Sequence, residues 1–155
     1  MSVLDDCVAL VRIDSQNPGA LEHACAAWLE ERLQRAGITA SRWDTADGRP
    51  NLVAAVPGAG QAPRLVLLAH MDTVPVGEGW STGPLSGTVR DGAVWGRGAA
   101  DMKAGLAVAI AVLESLTAGP PPPGDVVLCA TADEEGPDMG GIHTLVAEGV
   151  VGAND

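Results

Sequence analysis

Leu65-Val66-Leu67-Leu68-Ala69-His70-Met71-Asp72 sets an unbroken apolar run directly against a histidine and an aspartate. A short run with no polar residue is the pattern of a strand buried on both faces, as in a parallel sheet covered by helices. The pattern returns over residues 125–132, which close on Asp133-Glu134-Glu135-Gly136. Between the two runs, residues 100–118 are strongly helical, and 106–113 are apolar nearly all round, which predicts a buried helix. Gly119 and the prolines at 120–123 end it, and a helix terminator accounts for them better than a polyproline ligand does. Strand, helix and strand in alternation predict an α/β fold, with a mostly parallel sheet flanked by helices.

Upstream, residues 3–12 read as a short amphipathic helix. Asn17-Pro18 supplies an N-cap and a first-turn proline for a second helix that runs to about Ala36 and stops at Gly37. Leu21, Cys25, Trp28, Leu29, Leu33 and Ala36 form its apolar stripe, with Glu22, Glu30, Glu31 and Arg32 facing water. Residues 38–43 and 51–56 are expected as strands around a turn at Asp47-Gly48. Residues 57–60 form a loop, and 76–92 form a surface excursion with a short strand near Thr88-Val89. Residues 139–149 read as a last helix.

The hydrophobic fraction of 46% in 155 residues allows one domain with a real core and excludes a disordered acidic chain. The net charge is −11 and Lys103 is the only lysine. So few cations cannot drive counterion release from a phosphate backbone, so neither nucleic acid nor an anionic membrane is an expected partner. No apolar run reaches the roughly 18 residues of a membrane span. The start, Met1-Ser2-Val3-Leu4-Asp5-Asp6, lacks the basic segment of a signal peptide. A cytoplasmic location is expected. Cys7, Cys25 and Cys129 are widely spaced and odd in number, the pattern of small buried residues in a reducing compartment.

In open α/β sheets, ligands bind beyond the carboxyl ends of the strands. His70 follows one predicted strand, Glu134 and Glu135 follow another, and Asp101 opens the helix between them. If the strands are parallel neighbours, these groups share one edge. An imidazole and several carboxylates with no cysteine suit a borderline or hard divalent metal such as zinc, cobalt or manganese. Singly, a His-x-Asp pair reads as structural, an Asp at a helix start as a cap, and a Glu-Glu pair as solvated surface. Their joint occurrence points to a site. His23 reads as solvated, and His143 lies on the last helix outside the cluster. Gly96-Arg97-Gly98 lacks the spacing and Lys-Ser/Thr ending of a phosphate loop. Lys103 reads as structural, paired with a nearby carboxylate.

The flanks of these clusters, over residues 67–75, 95–105 and 130–136, resemble the M20 family of zinc metallopeptidases and amidohydrolases, and so do residues 11–18 and 49–53. That family includes acetylornithine deacetylases, succinyl-diaminopimelate desuccinylases, aminoacylases and glutamate carboxypeptidases. The resemblance covers essentially the whole chain. It implies two divalent ions, zinc first with cobalt or manganese as alternatives. It also implies hydrolysis of an amide bond in an N-acyl amino acid or small peptide. By the resemblance, His70 binds the first metal and Asp72 fixes its tautomer. Asp101 bridges both metals, Glu134 is the general base, and Glu135 binds the second metal. A cis Asp101–Met102 peptide bond is implied as well. Family members add a further acidic ligand, a late histidine and an inserted lid domain that dimerises, and none of these has a match within the 155 residues. Residues 1–155 are therefore expected to be the N-terminal part of a zinc-exopeptidase-like catalytic domain, from a full-length homodimer. On this reading they are inactive alone. The alternative is a catalytically silent remnant or binding module.

Overall fold

The computed structural model describes residues 1–19 and 22–152. Helix α1 (Val3–Arg12) opens on a capping box. The Ser2 hydroxyl accepts from the Asp5 amide, and the Asp5 carboxylate accepts from the Ser2 amide, satisfying two free helix-start donors. Helix α2 (Glu22–Arg35) begins later than the expected proline start, and Leu21 of its predicted stripe lies outside the described residues. Asn17 does not cap it. Its amide donates to the Thr73 carbonyl at 2.8 Å, tying the residue to the chain beyond the histidine instead.

Cys25, Leu29 and Leu33 face the core as expected, but Glu22 and Arg32 do not face water and are 0% and 3% exposed. Arg32 Nε donates to both Asp6 oxygens at 2.9 and 3.2 Å, and its Nη2 donates to Glu114 at 2.6 Å. The long side chain crosses the seam between helices to reach anions that helix periodicity does not show.

The remaining elements are β1 (Ala40–Asp44), β2 (Pro50–Val56), β3 (Leu65–His70), β4 (Thr88–Arg90), β5 (Ala93–Trp95), α3 (Ala104–Thr117), β6 (Val126–Thr131) and α4 (Gly140–Ala147). The main sheet has the order β1-β2-β6-β3, and β4 and β5 form a separate hairpin of which only the first strand was predicted. The α/β class with flanking helices stands, but the sheet is mixed rather than mostly parallel. β1 and β2 pair antiparallel, as a hairpin must, β2 and β6 pair antiparallel, and β3 and β6 pair parallel.

β6 is buried along its whole length. β3, expected to be buried on both faces, is an edge strand among the described residues, and Leu65 and Leu68 are 55% and 48% exposed. α3 likewise leaves Val108 and Val112 exposed, and these line a shallow groove with Leu67 and Leu68. Packing neighbours, which a sequence run does not show, decide both cases. The helix predicted from residue 100 starts at Ala104. Ala99–Lys103 forms a wide turn with Asp101 and Met102 in non-helical conformations, and the peptide bond between them is cis, as expected.

The core joins Leu10, Leu29, Leu33, Leu106, Ile110 and Leu113 to the inner face of the sheet. All three cysteines are buried, and none is in a disulfide among the described residues. No helix among the described residues is long and apolar enough to cross a membrane.

Candidate metal centre

The parallel register of β3 and β6 pairs His70 with Thr131, and the Met71 amide extends the ladder to the Thr131 carbonyl at 2.8 Å. Both strands therefore deliver their following residues to one edge. His70 ends β3 and is buried. Its Nδ1 lies 3.0 Å from the Asp72 carbonyl oxygen, and because a carbonyl only accepts, Nδ1 carries the hydrogen. Nε2 faces Asp101 Oδ1 at 3.1 Å and Glu134 Oε2 at 3.7 Å.

His70, Glu134 and Glu135 each offer a ligand atom, all within 4.8 Å of one another. Asp101 touches the imidazole from the wide turn before α3, and Asp101 and Glu135 line a common cavity with Arg97 and Gly98. A neighbouring cavity of about 170 Å³ has His70 and Glu134 on its polar side and Leu68, Met102, Met139 and Ile142 among its apolar walls. The structure thus gathers His70, Asp101, Glu134 and Glu135 at one place.

Asp72 does more than stand behind the imidazole. It is fully buried, with Oδ1 3.6 Å from His70 Nδ1. Oδ1 accepts from the Glu134 amide at 3.2 Å, and Oδ2 accepts from the Glu135 amide at 3.0 Å and from Asn17 Nδ2 at 2.9 Å. One carboxylate holds both the histidine side and the turn that carries the glutamates.

The electrostatics follow from the crowding. Burial pushes the His70 pKa down, but hydrogen bonds to Asp72 and Asp101 outweigh it and raise the value to about 9. Burial also opposes ionisation of Asp72. Its bonds from His70, Asn17 and the Glu135 and Glu134 amides prevail and hold its pKa below the usual carboxylate value. Glu135 moves the other way. Partial burial raises its pKa, and the carboxylates of Asp101, Glu134 and Asp72 add to the rise against the pull of His70. Among the described residues, no Lys or Arg forms an ion pair with Asp101, Glu134 or Glu135. One imidazole nitrogen and three carboxylates, converging with no thiolate, fit a divalent cation such as zinc.

Sequence reasoning missed the residues behind the site. Asp133 is buried in the left-handed region at φ 61°, which aspartate tolerates better than most residues. Its Oδ1 accepts from Arg49 Nη1 at 2.5 Å and Asn17 Nδ2 at 3.0 Å, and its Oδ2 accepts from the Gly140 amide at 3.0 Å. Arg49 also pairs with the buried Glu22. The available signal was Arg49 itself, a cation placed directly before a strand in a chain with only nine Lys and Arg. Lys103, expected to pair with a carboxylate, instead donates from a fully buried Nζ to the Ile13 carbonyl at 2.7 Å. His23 and His143 are exposed and stand outside the cluster.

A model of peptidase family M20/M25/M40 matches residues 66–155. A succinyl-diaminopimelate desuccinylase of Cereibacter sphaeroides is 38% identical over 139 residues, covering 88% of this chain and 36% of its own length. The chain thus spans little more than a third of the curated relatives it matches. Human carnosine dipeptidase 1 superposes on 94% of the chain with a TM-score of 0.79 at 20% identity, using 35% of its own length. A dinuclear metal binding peptidase of Bacillus subtilis superposes on 96% with a TM-score of 0.67 at 18% identity, using 38% of its own. The last two likenesses are of fold.

Proposed function

Because the chain belongs to peptidase family M20/M25/M40, we propose that its protein is a metal-dependent hydrolase of the amide bond in an N-acyl amino acid or small peptide. The carrying observation is the meeting of His70 Nε2 with the carboxylates of Asp101, Glu134 and Glu135 at the carboxyl edge of β3 and β6. His70 and Asp101 would hold one divalent ion, and Asp101 and Glu135 a second. Zinc is the first choice, with cobalt or manganese as alternatives. When bound, such ions polarise the scissile carbonyl and lower the pKa of water.

The protein groups divide the remaining work. The Asp72 carbonyl keeps the hydrogen on His70 Nδ1, which leaves Nε2 free to act as a ligand. Glu134 takes a proton from the attacking water onto its carboxylate and passes it to the leaving amine. The hydrogen bond that its backbone amide donates to Asp72 fixes where that carboxylate starts. The name of the curated relatives makes an N-succinyl amino acid the first substrate to assay.

Residues 1–155 then form part of the catalytic domain. The open edge of β3 and the exposed Val108 and Val112 support further strands packing there from the rest of the protein. A lid domain and a homodimer built through it complete the proposal, and buried cysteines outside any disulfide accord with a cytoplasmic location.

The test uses the intact protein with N-succinyl-diaminopimelate. Chelation should abolish turnover and zinc should restore it. Glu134→Gln should lower kcat by about 10²- to 10⁴-fold with metal content retained, and Glu135→Gln should lose metal as well. Equal metal loss in the two variants refutes the division of roles.

A further inference from the structure

A buried polar strap runs behind the metal centre and belongs to neither the ligands nor the general base. Asn17 is its middle. The Asn17 amide nitrogen donates one hydrogen bond to Asp72 Oδ2 at 2.9 Å and another to Asp133 Oδ1 at 3.0 Å. Asp72 stands beside the imidazole, and Asp133 immediately precedes Glu134. The two carboxylates flank the same turn from opposite sides. Asp72 accepts the Glu134 and Glu135 amides, while Asp133 folds back over Gly136 and accepts the Gly140 amide. The packing over Gly136 is close, since a Cβ added there would lie 2.1 Å from Asp133 Oδ1 and 2.9 Å from Asn17 Nδ2.

Asn17 has little freedom of its own. Its backbone amide is held by the Thr73 carbonyl at 2.8 Å, the Thr73 amide by the Ser15 carbonyl at 2.9 Å, and the Ser15 hydroxyl by the Met71 carbonyl at 2.8 Å. Segment 15–17 is thereby bound alongside segment 71–73, which follows His70. The Asn17 side chain carries that fixed position across to the glutamate turn. Only a neutral double donor suits the gap. Two carboxylates face it, and the one guanidinium of the strap, Arg49, approaches Asp133 from the far side, where it also pairs with Glu22.

We propose that Asn17 is a positioning residue for Glu134, clamping Asp72 to Asp133 so that the imidazole and the general-base carboxylate keep one relative position. The inference rests on the reading of Glu134 as general base. Asn17→Asp is the discriminating change, because it keeps the shape, replaces both donors with acceptors and sets a third carboxylate between two. Asp133→Asn is the second variant, and it weakens the clamp from the glutamate side without altering the histidine side.

The intact zinc-loaded protein is assayed with N-succinyl-diaminopimelate, together with Glu134→Gln. Zinc stoichiometry, the melting temperature and the visible spectrum of the cobalt-substituted form are followed in parallel. Loss of an outer-shell partner of this kind costs about 10- to 100-fold. The expected result is a fall in kcat of that size with KM within twofold, both zinc ions retained and the cobalt spectrum unchanged, in whichever variant folds. A folded variant with wild-type kcat, or with kcat unchanged and KM raised, overturns the inference. If Glu134→Gln itself keeps wild-type turnover, the general-base reading fails instead, so the two failures are distinct.

Discussion

Gly136→Ala tests how tightly the strap is packed. The glycine is not needed for its backbone conformation, since its φ lies outside the left-handed region. It is needed for space. The added methyl would sit 2.1 Å from Asp133 Oδ1, whereas real contacts of this kind do not fall below 3.0 Å, so the carboxylate must withdraw by about 0.9 Å. It has no free direction, because Arg49, Asn17 and the Gly140 amide hold it from three sides. The withdrawal breaks at least one charged hydrogen bond, worth about 1.5–3 kcal/mol, or roughly ten- to a hundredfold in the folding equilibrium. Urea unfolding of the intact protein, followed by tryptophan fluorescence, should show that loss. Gly119→Ala is the control. Nothing lies within 4 Å of its added Cβ, and stability should stay within about 0.5 kcal/mol. If Gly136→Ala unfolds at the wild-type midpoint, the steric argument is wrong.

Asp6→Ala should destabilise by about 3 kcal/mol in denaturant titration, because it removes the buried partner of the Arg32 guanidinium and leaves only the partly exposed Glu114. Glu114→Ala, which removes a partly exposed partner of the same guanidinium, should cost under about 1 kcal/mol. In the metal-free protein, the His70 pKa is raised from 6.5 to about 9. Its contribution to stability is fully present below 6.5 and is lost as pH rises through 9, whereas zinc displaces its proton. Metal-free stability should therefore fall from pH 6.5 to 9 while zinc affinity rises, and a zinc affinity independent of pH over that window refutes the assignment of Nε2 as a ligand. A polypeptide limited to residues 1–155 should bind zinc weakly, aggregate through the open β3 edge and show no turnover. Two zinc ions bound per chain with full activity would contradict this.

The parts legible in the sequence were those fixed by local chemistry. Helix α1 begins where Ser2 and Asp5 cap each other, and β6 is the apolar run between the Pro-Gly segment and the acidic turn. His70, Asp101, Glu134 and Glu135 were legible only together, because each alone has a structural or solvated reading and their joint occurrence at element ends does not. What stayed hidden depends on partners far along the chain. Arg32 is polar and on a helix, and only its meeting with Asp6 explains its burial. Asn17 before Pro18 is locally a plausible cap, yet its partners are 55 and 116 residues away. The exposure of β3 and α3 was equally invisible, since a hydrophobic run does not state what lies beside it.

The ladder between β3 and β6 has a further consequence. His70 stands on the last rung, opposite Thr131, and the glutamates follow in the turn just beyond it, so the separation between them is set in whole residues. Sliding one strand by a single residue displaces its end by about 3.3 Å and turns every side chain to the opposite face. Errors of alignment here come in discrete steps, with no continuum of slightly loosened centres between right and wrong. A misaligned preparation would then hold two populations, one correctly threaded and one not, and its specific activity would count the molecules whose strands had settled on the right rung.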